Sequence, residues 1–113
     1  MDNYKVIFHV SDNSNLSHGL INIKNLMRDL GENGEIELLL NGDAVTLMLS
    51  NEDKLYDKVI ELKEKGVTFA VCGNSMKNMD ISKEELRDFA YIVPSGVGEL
   101  VKKQAQGWGY IKP

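Results

Sequence analysis

Apolar residues along this chain fall into short continuous runs, separated by longer stretches in which they recur every three or four positions. Tyr4 to Val10 is the first run and predicts a strand. From Leu16, the residues Leu20, Ile23, Met27 and Leu30 alternate steps of four and three, which places them on one face of a helix. Asp12, Asn13 and Ser14 offer N-caps for it, and Gly31 or Gly34 the left-handed stop. Ile36 to Leu40 predicts a second strand. Asn41-Gly42-Asp43 then turns the chain into a short apolar segment, Ala44 to Leu49, expected to form a helical turn or two. Ser50 is expected to cap a second long helix carrying Leu55, Tyr56, Val59, Ile60 and Leu62, closed by Gly66. Val67 to Val71 predicts the third strand, and Gly73 to Met79 a short helix.

Ser82-x-x-Glu85 has the form of a capping box, which predicts a short helix over Lys83 to Phe89. Ala90 to Val93 reads as a fourth strand ended by Pro94. Ser95-Gly96-Val97-Gly98 leads into a last helix with Val97, Leu100 and Val101 on one side. Gly107 ends it, and Trp108 to Ile111 adds a short terminal strand. Strands alternating with helices imply βαβ units and a parallel sheet covered on both faces. Strand order does not follow from the pattern.

Composition narrows the function. The 113 residues suffice for one domain over residues 1–113, and a hydrophobic content of 42% excludes wholesale disorder. A net charge of −4 with mixed signs offers no basic stripe for nucleic acid. No apolar stretch approaches the roughly 20 residues that span a bilayer. The first residues lack the basic segment and apolar core of a signal peptide, so a cytoplasmic location is expected. One cysteine excludes an internal disulfide, a Cys-x-x-Cys redox pair and a cysteine-rich zinc site. His18 stands alone at the start of a helix, so neither a metal site nor a cofactor is expected.

In an open parallel sheet, ligands gather beyond the carboxyl ends of the strands. Those ends carry His9 and Ser11, then Asn41 and Asp43, then Cys72 with Gly73 and Asn74, and finally Ser95 with Gly96. Cys72 sits where an apolar strand meets the start of a helix, close to unpaired N–H groups that favour thiolate over thiol. Free cysteine also serves as a buried space-filler, and Asn41, Asp43 and Ser95 are ordinary turn and capping residues. His9, at an alternating strand position, is either a half-buried histidine or a proton donor or acceptor beside the thiol. Ser95-Gly96-Val97-Gly98 suits a small anionic group on backbone N–H groups, and is neither a Walker loop nor a dinucleotide fingerprint. Met76 and Met79 flank the cysteine as core residues or as an apolar collar.

Gly66-Val67-x-Phe69-x-x-Cys72-Gly73-Asn74-Ser75-Met76 resembles the cysteine segment of the DsrE/DsrF-like family, to which the TusD-type sulfur-relay subunits belong. Val93-Pro94-Ser95-Gly96-Val97-Gly98-Glu99-Leu100 and Tyr110-Ile111-Lys112-Pro113 resemble the closing segment of its small members, and Asn41-Gly42-Asp43-Ala44-Val45 their second strand end. The resemblance implies a three-layer α/β/α fold with a mostly parallel sheet of about five strands, assembled into homotrimers or hexamers. It also implies that Cys72 accepts sulfane sulfur as a persulfide and hands it to a partner protein, a sulfurtransferase role. Asn74 and the neighbouring N–H groups would then stabilise charge on sulfur. The competing expectation, from a different class, is a noncatalytic ligand-binding or redox-sensing module that uses the same strand ends.

Overall fold

The computed structural model describes residues 3–113. Five strands form one sheet in the order β4-β3-β2-β1-β5: β1 Tyr4–Val10, β2 Gly34–Leu40, β3 Thr68–Cys72, β4 Ala90–Val93 and β5 Gly109–Ile111. Every neighbouring pair is parallel. The sheet is thus wholly parallel, and the expected α/β layering is present. The helices are α1 Leu16–Leu30, α2 Tyr56–Glu64, α3 Gly73–Asn78 and α4 Gly96–Ala105. No helix is long and apolar enough to cross a membrane among the described residues.

Strand alternation sorts the side chains onto two faces. Phe8 and Val10 of β1, Leu38 and Leu40 of β2, and Phe69 and Val71 of β3 pack with Leu16, Leu20 and Ile23 of α1 and Val59 and Leu62 of α2. Ile7, Leu39 and Ala70 point the other way and pack with Val93, Leu100 of α4 and Trp108. The first face is covered by α1, α2 and a 3-10 segment, Gly42–Met48, whereas among the described residues α4 is the only helix on the second. The β4-to-β5 connection carries α4 across the sheet, because β5 pairs with β1 at the far edge.

Three local expectations differ from the structure. Ser50 does not cap α2: its N–H donates to the Glu85 carbonyl at 2.9 Å, and the helix begins at Tyr56. Glu52 instead accepts from the Leu55 N–H at 3.1 Å, which serves the helix entry. The Ser82–Glu85 capping box is formed, but the helix over Lys83 to Phe89 shrinks to a 3-10 turn, Lys83–Glu85. Leu86 turns extended there and bridges Leu49, while the Arg87 N–H donates to the Met48 carbonyl at 2.8 Å. Pairing between distant segments outweighs the local helix signal. Of the three apolar positions on α4, Leu100 alone is buried; Val97 and Val101 are 65% and 67% exposed, because no second helix lies beside α4 among the described residues.

Candidate functional site

Cys72 is the last residue of β3 and the residue from which α3 springs. Its extended backbone, φ −70° and ψ 115°, lets the side chain fold back over the first helical turn. Sulfur therefore takes the place a serine or aspartate oxygen fills at an ordinary N-cap: Sγ accepts the Ser75 N–H at 3.4 Å. A second donor comes from the other side. The N–H of Gly96, first residue of α4, points at Sγ from 3.3 Å. One sulfur thus faces the starts of two helices, where unpaired N–H groups and the positive dipole ends converge.

Two glycines permit this approach. A Cβ on Gly73 would stand 3.0 Å from the Val93 carbonyl oxygen, a tight contact that glycine avoids where α3 starts against the end of β4. A Cβ on Gly96 would lie 3.4 Å from Sγ, 3.3 Å from the Cys72 Cβ and 3.4 Å from the Asn41 Cβ. The space beside the sulfur is therefore narrow, and glycine leaves it unfilled.

Burial raises the thiol pKa, but the Ser75 hydroxyl and the N–H groups of Ser75, Gly96 and Asn74 outweigh it, leaving Cys72 below the ordinary thiol range. Cys72 is 5% exposed. The Ser75 hydroxyl is oriented from behind, since its oxygen accepts the Gly42 N–H at 2.8 Å. Gly42 itself adopts a φ of 56°, and a Cβ there would sit 2.4 Å from the Ser11 carbonyl oxygen. Ser75 is the site residue that pattern reasoning passed over. Its signal was its spacing, three residues after Cys72, where an N-cap finds its donor.

His9 shares the sheet face of Cys72, yet it makes no hydrogen bond to the sulfur. Nε2 lies 3.0 Å from Asn41 Oδ1 and Nδ1 lies 2.9 Å from the Tyr110 hydroxyl. Burial lowers its pKa, against the Asn41 hydrogen bond and together with nearby Lys112, so the imidazole is neutral at pH 7. Asn41 borders both His9 and the space before Gly96. Asp43 and Ser95 stand further back: Asp43 accepts the Asn13 N–H at 2.9 Å, and Ser95 caps α4 by accepting the Gly98 N–H at 3.1 Å. The Asn74 side chain is exposed, and this residue reaches the sulfur through its main chain. Met76 is buried in the core on the opposite face, and Met79 is exposed, so the two form no collar around the sulfur.

His18 lies exposed beside Asn22, and no cluster of three metal-ligating side chains occurs among the described residues. Clefts open between α1 and α2, around Leu20, Lys24 and Glu61, and beside Asn13, Thr46 and Glu52; Cys72 lines neither. The sulfur is a buried group, on a residue 5% exposed, held by N–H donors at the ends of the strands. Such an arrangement suits a nucleophile whose reaction partner brings its own reactive atom.

The fold is shared with known proteins. The protein MTH1491 of Methanobacterium thermoautotrophicum, described as of unknown function, is 33% identical over 98% of this chain and all of its own, with a TM-score of 0.91. The ychN protein of E. coli has the same fold at 18% identity, with a TM-score of 0.80 and full coverage of both chains. Protein BT1422 of Bacteroides thetaiotaomicron, also of unknown function, is 17% identical over 96% of this chain and 94% of its own, with a TM-score of 0.72. No curated protein matches the chain. The match to the DsrE/DsrF-like family runs over residues 4–113, and the chain belongs to that family.

Proposed function

We propose that this protein carries sulfane sulfur as a persulfide on Cys72 and passes it to a thiol of a partner protein. The observation that carries this reading is the convergence of the Ser75 and Gly96 N–H groups on Sγ, at 3.4 and 3.3 Å. They stabilise the thiolate, which is the attacking species. In the loading step the thiolate attacks the outer sulfur of a donor persulfide, R–S–SH. A new S–S bond forms at Sγ, the donor's S–S bond breaks, and the donor leaves as R–S⁻. In the release step an acceptor thiolate attacks the outer sulfur of Cys72–S–SH, takes it with its proton, and returns Cys72 as thiolate. Each step moves one sulfur and needs no external oxidant. The same N–H groups receive the charge that reappears on Sγ at release.

Membership of the DsrE/DsrF-like family supports a sulfur-relay role. The absence of a second cysteine in the chain suits a relay, which requires no resolving thiol. Asn74 serves through its N–H, and Gly73 through the close approach it allows. Asn41 and Gly96 border the space for the incoming sulfur, while Asp43 and Ser95 hold the surrounding loops. We place assembly as a homotrimer or homohexamer with this reading, since Val97 and Val101 leave an apolar strip on α4. Intact mass after exposure to a sulfane-sulfur donor tests the carrier role. Gain of one sulfur, about 32 Da, that is lost in Cys72→Ser supports it. Equal uptake by the wild type and Cys72→Ser overturns it in favour of a ligand-binding module.

A further inference from the structure

Three side chains that are distant in sequence form a chain of hydrogen bonds ending beside the sulfur. Tyr110 on β5 meets His9 on β1 at 2.9 Å, and His9 meets Asn41, just beyond β2, at 3.0 Å. The direction of each bond is fixed by what the atoms can do. Asn41 Oδ1 only accepts, so the proton of the neutral imidazole is on Nε2; Nδ1 then accepts, and the Tyr110 hydroxyl donates. With its oxygen held by His9, the Asn41 amide turns its N–H end away from the imidazole. The Asn41 Cβ and Cys72 Sγ each lie 3.4 Å from the point where a Cβ of Gly96 would stand, so both border one small space. The hydrogen bonds to Sγ come from the Ser75 and Gly96 N–H groups, and Asn41 gives none. An outer sulfur would stand about 2 Å beyond Sγ, the length of an S–S bond, and would enter that space.

We infer that Tyr110 is a positioning residue for the sulfur site: through His9 it holds the Asn41 amide with its N–H end toward the outer sulfur of the loaded cysteine. This rests on the carrier reading and adds to it a division of labour. Backbone N–H groups serve Sγ, and the Asn41 amide serves the transferred atom. A hydrogen bond to the charged form favours ionisation, so the loaded cysteine rests as Cys72–S–S⁻, its proton released to water, and takes a proton back from water before an acceptor thiolate attacks the outer sulfur. Loss of the Tyr110 hydroxyl frees Nδ1, lets the imidazole take either tautomer, and releases the amide from its single orientation.

The test uses the full chain loaded with inorganic polysulfide and then alkylated with iodoacetamide over a pH range that brackets the midpoint of the loaded form. Tyr110→Phe removes one hydroxyl from a side chain 41% exposed and preserves the ring. At a pH below the midpoint of the loaded form, its alkylation is expected to slow about fivefold, the worth of one hydrogen bond of about 1 kcal/mol, while the unloaded thiol keeps the wild-type midpoint. Asn41→Asp keeps an acceptor for His9 but has no N–H to give, so it should slow the loaded form at least as much. Adding Tyr110→Phe to it should then have no further effect. Wild-type alkylation of loaded Tyr110→Phe, equal slowing of its loaded and unloaded forms, or additive losses in the double variant would overturn the inference. A wild type that takes up no sulfur overturns the carrier reading itself, and this inference with it.

Discussion

The Gly96 N–H donates to Cys72 Sγ across 24 positions of sequence, joining the first residue of α4 to the last residue of β3 at 3.3 Å. The donor belongs to a helix that crosses the sheet on its thinly covered face. Whatever seats α4 therefore also seats the group that steadies the sulfur.

The thiol should titrate below the free-thiol range, since the donors on sulfur outweigh its burial. Ser75→Ala deletes the hydroxyl and keeps the N–H, so the midpoint of alkylation rate against pH should move up. At a pH below that midpoint the rate should drop about fivefold, as expected for one hydrogen bond to a charged group. A variant that titrates with the wild type would show that the hydroxyl does not reach the sulfur.

The acid pair under α4 gives the fold its own pH dependence. Glu37 on β2 is 2% exposed, faces Glu99 of α4, and has Lys103 as its cation at 3.4 Å. Burial first, then the hydrogen bond and charge of Glu99, raise Glu37 from 4.5 to about 7. Between those values the folded chain keeps a proton that the unfolded chain releases. Stability from this group is thus complete below about 4.5, falls as pH rises to about 7, and is level above. Glu37→Gln, which mimics the protonated form, should remove this slope and stabilise the fold at pH 8. Denaturant midpoints at pH 5 and pH 8 decide it. A wild type equally stable at both, or a variant weakened at pH 8, would contradict a raised pKa at Glu37.

Assembly is tested on the strip left open along α4. Val101 is 67% exposed, so Val101→Glu leaves the monomer core intact and puts a charge on the strip. Light scattering should return a trimer or hexamer mass for the wild type and a smaller species for the variant. A wild-type monomer at micromolar concentration would refute the assembly.

Much of this was legible in residue order. The run Val67 to Val71 followed by Cys72-Gly73 places a cysteine at a strand end, and β1 alternates so that Ile7 and His9 share a face. Other features depend on contacts between distant segments. Ser50 carries the local mark of a helix cap, yet its N–H is taken by the Glu85 carbonyl, 35 residues on, at 2.9 Å. His9 meets Tyr110 only because β5 returns to the far edge beside β1, and no periodicity reveals that crossing. The apolar positions Val97, Leu100 and Val101 suggested one buried stripe on α4. The sheet receives Leu100 alone, since a lone helix on a face buries a narrower strip than one flanked by neighbours.

Gly96→Ala separates charge stabilisation from access. Its N–H survives the substitution, and Gly96 is not among the glycines of positive φ, so the backbone accepts alanine without strain. The new methyl would stand 3.3 Å from the Cys72 Cβ and 3.4 Å from both Sγ and the Asn41 Cβ. These are tight contacts that a few tenths of an ångström of movement can relieve, at a cost of about 1 kcal/mol. The thiolate should persist, but the space that the outer sulfur enters would be filled. Sulfur uptake from polysulfide is expected to fall about tenfold, equivalent to 1.4 kcal/mol on the barrier, with the pH midpoint of alkylation still below that of a free thiol. Uptake at the wild-type rate would mean that the outer sulfur lies elsewhere. A midpoint returned to the free-thiol value would mean that the methyl had pushed the Gly96 N–H off the sulfur, and the loss would then be one of charge and not of room.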